Sequence, residues 1–394
     1  MLALRLKPTR EKSVLRKHPW IFKGAVQEII GSPKNGETIR IIDNDRHFLA
    51  WAAFSAYSQI CARIWSWDES DQINAGFLEN RIIKSIARRE SCVDSSKQAQ
   101  RLVYAESDSL PGIIVDRYGL IIVVQFLNSG AEYWREAIID TLYEIENIQC
   151  IYERSDVDAR RLEGLEERTG ILKGHLPNSV IEILENGLQY LVDIKSGHKT
   201  GFYLDQQINR LHLGRVASGK DVLDCFCYTG GFSVNALAGG ASKVLSLDSS
   251  SEALAMCRKN VLLNNFDEGK HTTLGGDVFQ TLRDFRDRNL HFDLIILDPP
   301  KFAPTIAQIK QAARGYKDIN LLACKLLKPG GNLFTFSCSG GVSAELFQKI
   351  VAGAALDANA DLQIIQRMYQ SPDHPVAINF PEGEYLKGLV LRKN

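Results

Sequence analysis

The sequence contains no hydrophobic run approaching the roughly 18 residues that a membrane-spanning helix needs. Its opening, MLALRLKPTREK, has neither a long apolar core nor a small-residue cleavage site. Both absences point to a cytoplasmic protein. A cysteine framework is also missing. The eight cysteines (61, 92, 150, 225, 227, 257, 324 and 338) are scattered without regular spacing, so reduced thiols are expected. A metal centre is disfavoured, because Cys225 and Cys227 have no second ligand pair at finger spacing and no two histidines are spaced H-x-x-x-H. The chain also lacks a G-x-G-x-x-G fingerprint and a phosphate-cradling lysine, which disfavours dinucleotides and nucleoside triphosphates.

Net charge is absent too, with 47 Lys and Arg against 47 Asp and Glu, but the balance is uneven along the chain. Basic and acidic residues number 11 and 8 over residues 1 to 75, 13 and 19 over 76 to 189, and 23 and 20 over 190 to 394. The first 24 residues are more lopsided, with Arg5, Lys7, Arg10, Lys12, Arg16, Lys17 and Lys23 against Glu11 alone. His18, Trp20 and Phe22 are interleaved with them. Cations and ring faces together suit a phosphate backbone with exposed bases, and the stretch reads equally well as a solvated helix with a few core aromatics.

What is present is the composition of an ordinary globular protein, 45% hydrophobic and 24% charged over 394 residues, long enough for two or three domains. Short alternating runs (ETIRIID, FLAWAAF, QICARIW) and a turn at Asp43-Asn44-Asp45 predict a small β-barrel over residues 1 to 75. Residues 76 to 189 predict a small α+β domain. It has a helix near Phe77 to Arg89, strands broken by Leu110-Pro111-Gly112 and Arg117-Tyr118-Gly119, a helix near Glu132 to Tyr143, and a strand around Cys150 to Tyr152. From about Tyr190 the pattern is that of a doubly wound parallel sheet, so the fold class is α/β. Its strands are DVLDCF, SKVLSLD, TTLGGD, FDLIILD and NLFTFS, with helices such as Glu252 to Asn264 and Arg314 to Leu327, the latter stopped by Lys328-Pro329-Gly330-Gly331.

Three aspartates end successive strands of that sheet. Asp224 precedes a turn containing Gly230 and Gly231, Asp248 lies 24 positions further on, and Asp277 ends the third strand. A lone aspartate after a strand is usually a helix cap. Three in series suit an amine, a ribose and an adenine amino group with no phosphate, which is the pattern of S-adenosylmethionine. The fourth strand runs into LDPPKF, where two prolines stop the sheet and fix the Asp298 carboxylate. The fifth runs into FSCSGG, where two glycines are expected to turn the chain and hold Cys338 at the sheet edge.

The stretches REKSVLRKHPWIFKGAV, AESDSLPGIIVDRYG, SGHKTGFYLDQQINR, DCFCYTGGFS, LDPPKF, RGYKDIN and FSCSG occur in this order. On these the chain closely resembles the bacterial large-subunit ribosomal RNA cytosine-C5 methyltransferases. The resemblance implies a PUA-like RNA-binding domain, a central α+β domain and a Rossmann-like domain using S-adenosylmethionine. It implies Cys338 as covalent nucleophile, Asp298 as its partner on the base, and a cofactor pocket including Tyr203, Gln206, Asp224, Phe226, Tyr228, Gly230, Phe232, Asp248, Asp277 and Asp298. Lys199, Lys301, Arg16 and Lys17 are the implied substrate-binding residues, Lys301 also being a candidate cation for the thiol. The expected partner is large-subunit ribosomal RNA, single-stranded or locally unpaired, with no membrane and a homodimer left open. Other enzymes methylating cytosine C5 in RNA carry a second cysteine after the fourth-strand proline, where this chain has Pro299-Pro300-Lys301. A methyltransferase acting on another RNA base atom or on a protein, and a non-catalytic RNA-binding assembly factor, remain as rival readings.

Overall fold

The computed structural model describes residues 2–90, 99–145, 147–302 and 308–394. Cys92 lies outside them. The chain forms two compact units: Met1–Ile183 with Val192–Leu204 and Pro372–Gly383, and Leu184–Leu191 with Asp205–Ser371 and Glu384–Asn394. Among the described residues no helix is long and apolar enough to cross a membrane.

The first unit begins with a six-stranded sheet in the order Trp20–Phe22, Ile60–Ser66, Phe48–Phe54, Thr38–Ile42, Ala3–Leu6, Val26–Ile30. The pairing is antiparallel except between Ala3–Leu6 and Thr38–Ile42. Side chains on one face, among them Leu4, Leu6, Ile39, Ile41, Ala52 and Ile64, form its core. At the predicted Asp43 turn, the carboxylate accepts the His47 backbone N–H at 2.8 Å, which closes the hairpin. Helix Ala75–Glu90 and a five-stranded sheet follow, ordered Arg168–Gly174, Cys150–Ser155, Ile121–Phe126, Ile113–Tyr118, Ala99–Tyr104. The helix expected near Glu132 to Tyr143 is broken in two, Ser129–Tyr133 and Arg135–Tyr143. Trp134 leaves helical angles between them (φ −94°, ψ 11°) while its ring packs against the core of this sheet.

The second unit is a seven-stranded sheet. We label its strands β1 (Asp221–Cys225), β2 (Lys243–Asp248), β3 (His271–Gly275), β4 (Phe292–Leu297), β5 (Leu327–Ser337), β6 (Leu362–Met368) and β7 (Lys387–Lys393), and its helices α1 (Gln207–Arg215), α2 (Gly231–Ala238), α3 (Ser251–Leu263), α4 (Val278–Asp287), α5 (Ile309–Leu326) and α6 (Ala344–Asp357). The order is β3-β2-β1-β4-β5-β7-β6, with β1 to β5 parallel and β7 antiparallel to both its neighbours. The apolar runs read from the sequence as strands buried on both faces supply the core, including Leu223, Leu247, Ile295, Leu297 and Leu333. Strand order reverses between β1 and β4, which opens a crevice at their carboxyl ends.

One boundary differs from the sequence reading. The segment Lys328-Pro329-Gly330-Gly331 does not stand between helix and strand but is a bulge inside β5: Leu327 pairs with Phe292 and Asn332 with Leu294, so four residues face Asp293 alone. Lys328 Nζ reaches the Asp293 carboxylate at 2.9 Å and pins the bulge.

Candidate active site

The crevice is built first by the loop between β1 and α2. Phe226 and Tyr228 both lie in the left-handed region (φ 60° and 49°), a conformation that costs non-glycine residues about 1–3 kcal/mol each unless held. They are held: the Cys227 N–H donates to Leu247 O at 3.1 Å, and the Tyr228 N–H to Asp248 Oδ2 at 2.9 Å. Gly230 (φ 82°) completes the turn, and a Cβ there would stand 2.4 Å from Cys257 Sγ. Asp248 thus ties the loop to the end of β2, and its Oδ1 also accepts the Ser250 N–H at 2.9 Å.

Asp224 is 1% exposed. Its Oδ2 accepts a 2.6 Å hydrogen bond from Ser233 Oγ, and that hydroxyl lies 2.6 Å from Ser246 Oγ, which is 2.8 Å from His271 Nε2. Asp224 Oδ1 is buried with no partner. Burial pushes the carboxyl up to about 8, against the lowering effect of the Ser233 bond, with the Cys257 and Asp298 charges raising it further. An orphaned acidic oxygen of this kind suits a cationic amine, the group by which S-adenosylmethionine differs from phosphate-bearing cofactors. No motif pointed to the Ser233, Ser246 and His271 chain behind it.

Asp277 is exposed and caps α4, accepting the Gln280 N–H at 2.9 Å. Phe232 is buried, its ring stacked on Phe336 at 5.6 Å between centroids. Gln206 is buried and its Oε1 accepts from Asn209 Nδ2 at 2.6 Å. Lys199, Tyr203, Arg16 and Lys17 belong to the first unit. There the Lys199 ammonium lies 4.3 Å from the Tyr203 ring centroid and that of Lys17 5.3 Å from the Trp67 ring.

Under α2 lies a buried ion pair. Arg210 on α1 donates to both oxygens of Glu185 at 2.7 and 2.5 Å, with side chains 3% and 0% exposed. A Cβ on Gly231 would meet Arg210 Cδ at 2.9 Å, so the guanidinium supports the first residue of α2 directly. We predict that Arg210→Met lowers stability by about 3–5 kcal/mol, because the buried Glu185 loses the cation that compensates its charge; denaturant unfolding would measure it.

At the carboxyl ends of β4 and β5 the structure brings the LDPPKF and FSCSG segments together. Cys338 Sγ lies 3.9 Å from Pro299 O. Of the described cysteines, Cys338 is half-buried and the other six are buried. Burial pushes the Cys225 thiol well above its ordinary value, and a hydrogen bond with Cys257, together with burial, does the same for Cys227. Asp298 is half-buried and Lys301 exposed. Phe302 packs on Tyr316 at 4.7 Å between centroids, and the Tyr316 hydroxyl lies 3.0 Å from Ser339 Oγ. Gly340, expected to turn the chain, does not adopt a positive φ, and a Cβ there would meet nothing within 4 Å. The turn is instead held by Val342 N–H donating to Ser339 O at 3.1 Å and by Lys387 Nζ donating to the same oxygen at 2.8 Å. Tyr316 lies within RGYKDIN, which marked the segment but not its role. Nothing in the sequence pointed to Lys387.

Comparison with known proteins identifies the architecture. The S-adenosylmethionine-dependent methyltransferase family matches residues 168–392, and a PUA-like domain family matches residues 4–67. A "Ribosomal RNA large subunit methyltransferase I" from Shewanella amazonensis is 50% identical over 392 residues, covering 99% of each chain. One of the same name from Tolumonas auensis is 51% identical, covering 98% of each. The chain belongs to this methyltransferase family. Among solved structures, an S-adenosylmethionine-dependent methyltransferase from Streptococcus mutans matches with a TM-score of 0.85 at 23% identity, covering 100% of both chains. A methyltransferase complexed with SAH matches with a TM-score of 0.87, also at 23% identity over 100% of both. These two show that the fold extends over the whole methyltransferase chain. The methyl donor of the family is S-adenosylmethionine, and the partnerless Asp224 oxygen fits its amine.

Proposed function

We propose that this methyltransferase modifies carbon C5 of a cytosine in large-subunit ribosomal RNA, using Cys338 as a covalent nucleophile. The observation carrying this reading is the position of Cys338: the half-buried cysteine, at the carboxyl end of β5, with its sulfur against the Pro299 carbonyl of the Asp298 loop. The full-length relatives named for large-subunit ribosomal RNA support the substrate.

When bound, S-adenosylmethionine supplies an electrophilic methyl group on a sulfonium. Asp224 would take its amine and Asp248 its ribose hydroxyls, while the strained Phe226 to Gly230 loop shapes the wall between them. Cytosine C5 is a poor nucleophile. The Cys338 thiolate bonds to C6, which makes C5 enamine-like; after C5 is alkylated, loss of its proton and breakage of the C–S bond restore the ring. Asp298 would hold the N3/N4 edge of the base and favour attack at C6. Without a second cysteine beside Pro300, release of product does not use a thiol at that place. A base reached from both sides must leave its stack, which favours single-stranded or locally opened RNA. The N-terminal residues 1–75, with Arg16 and Lys17, would contact the RNA backbone. Residues 76–189 would form a central α+β domain and residues 190–394 the catalytic one. A cytoplasmic site of action fits such a substrate.

RNA carrying 5-fluorocytosine at the target position tests the chemistry, because fluorine cannot leave as a proton does. A complex surviving denaturing electrophoresis is expected with the wild type and the methyl donor, with none for Cys338→Ala. Absence of that complex from the wild type, with the RNA otherwise methylated, rejects the covalent route. Mass spectrometry of ribosomal RNA from cells lacking the protein would locate the nucleotide.

A further inference from the structure

Strand β7 pairs antiparallel with β5 so that Lys387 stands opposite Ser337, the residue before Cys338. Lys387 is 6% exposed, and its Nζ donates to Ser339 O, on the residue after Cys338, at 2.8 Å. A buried ammonium is costly unless hydrogen bonds and negative charge compensate it. One carbonyl is a modest compensation. Burial lowers the lysine's proton affinity below its ordinary value; the Cys338 and Glu384 charges raise it in part, and Lys301 lowers it. From α5, the buried Tyr316 hydroxyl lies on Ser339, and the Cys338 and Asp298 charges oppose its ionisation. The charged groups acting on Lys387 and Tyr316 at this turn are therefore Asp298 and Lys301 from the loop after β4, Cys338 from the turn after β5, and Glu384 from before β7.

We infer that Lys387 is a positioning residue for Cys338: its ammonium fixes the turn through Ser339 O and stabilises the Cys338 thiolate over the thiol. The inference rests on the reading of Cys338 as nucleophile, and it gives that reading what it lacked, a buried cation on the turn that carries the sulfur. The exposed Lys301 cannot fill this role equally, because solvent screens it. Asp298 makes the need sharper, since its negative charge in the same crevice would otherwise push the thiol toward its neutral form. No bond is made or broken by Lys387. It shifts the proton on Cys338 to solvent before substrate arrives.

The test needs neither RNA nor methyl donor. Full-length protein is alkylated with iodoacetamide between pH 6 and 10, and modification of Cys338 is followed by peptide-resolved mass spectrometry. The wild-type rate should reach half its maximum about one pH unit below the value near 8.5 of a free cysteine. Lys387→Met should move that midpoint upward and slow alkylation at pH 7 about tenfold, whereas Lys387→Arg, which keeps the charge, should stay near the wild type. An unchanged midpoint in Lys387→Met overturns the inference. If that variant does not fold, the wild type decides alone: a midpoint at or above that of free cysteine overturns it. Failure of the nucleophile reading appears elsewhere, as full methyl transfer by Cys338→Ala, and leaves this titration untouched.

Discussion

Replacing Cys338 by alanine is expected to lower methyl transfer to ribosomal RNA by at least about 10⁴-fold, deletion of a covalent nucleophile costing up to about 10⁶-fold elsewhere. Binding of S-adenosylmethionine should be unchanged. The separation follows from placement. The thiol belongs to the turn after β5, against Pro299 O, whereas the candidate cofactor groups Asp224 and Asp248 sit on β1 and β2. Cys338 is half-buried, so removal of its sulfur leaves no large cavity, and stability should change by less than about 1 kcal/mol. Single-turnover transfer and titration calorimetry on the same preparation check both halves. Wild-type rates from the variant would move the chemistry to another base atom, or to a protein, since no other described cysteine stands outside the core.

Asp224 carries the second large effect, in two measurements of opposite sense. Its folded carboxyl titrates near 8, against an ordinary value of 3.8, with burial as the main cause. Between those values the folded state holds a proton that the unfolded state releases, so stability falls as pH rises through this window and is lowest above it. The slope approaches 1.36 kcal/mol per pH unit for one such group. Asp224→Asn cannot ionise, and this component of the pH dependence should vanish, visible as a flatter melting temperature between pH 5 and 8. Cofactor binding goes the other way. An ammonium group needs the ionised carboxylate, so the wild-type affinity for S-adenosylmethionine should rise about tenfold from pH 6 to pH 7, with one proton released per cofactor bound. Asp224→Asn should bind at least about 100-fold more weakly and show no such rise, having lost the charge at a buried contact. Calorimetry in buffers of different ionisation enthalpy counts the proton. A pH-independent wild-type affinity would remove Asp224 from the amine.

Much of this was legible in the sequence where a single local rule decides. Near-continuous apolar runs marked β1, β4 and β5, because burial on both faces leaves no alternation to misread. The Asp43 turn closed where its carboxylate could reach a backbone N–H. What was not legible depends on groups distant in the chain. Lys328 to Gly331 look like a stop, yet pairing with β4 on either side carries them as a bulge. Trp134 sits inside a helical pattern and interrupts it, because its ring is claimed by the core. Gly340 looked indispensable to the FSCSGG turn, but the turn is fastened by hydrogen bonds to Ser339 O. Lys387 lies 49 positions beyond Cys338, in an unremarkable strand pattern, and only the sheet order brings it opposite Ser337. Asp277 shows the reverse limit: its place after a strand was readable, while its engagement as the cap of α4 required the backbone.

The interior position of β7 has a consequence for biosynthesis. Until residues 387–393 leave the ribosome, β5 has an open edge, β6 has no neighbour to join, and the ammonium that holds Ser339 O is missing. Pairing of β7 therefore closes two edges at once, so a chain that has not yet placed residues 387–393 exposes strand edges open to pairing with another molecule.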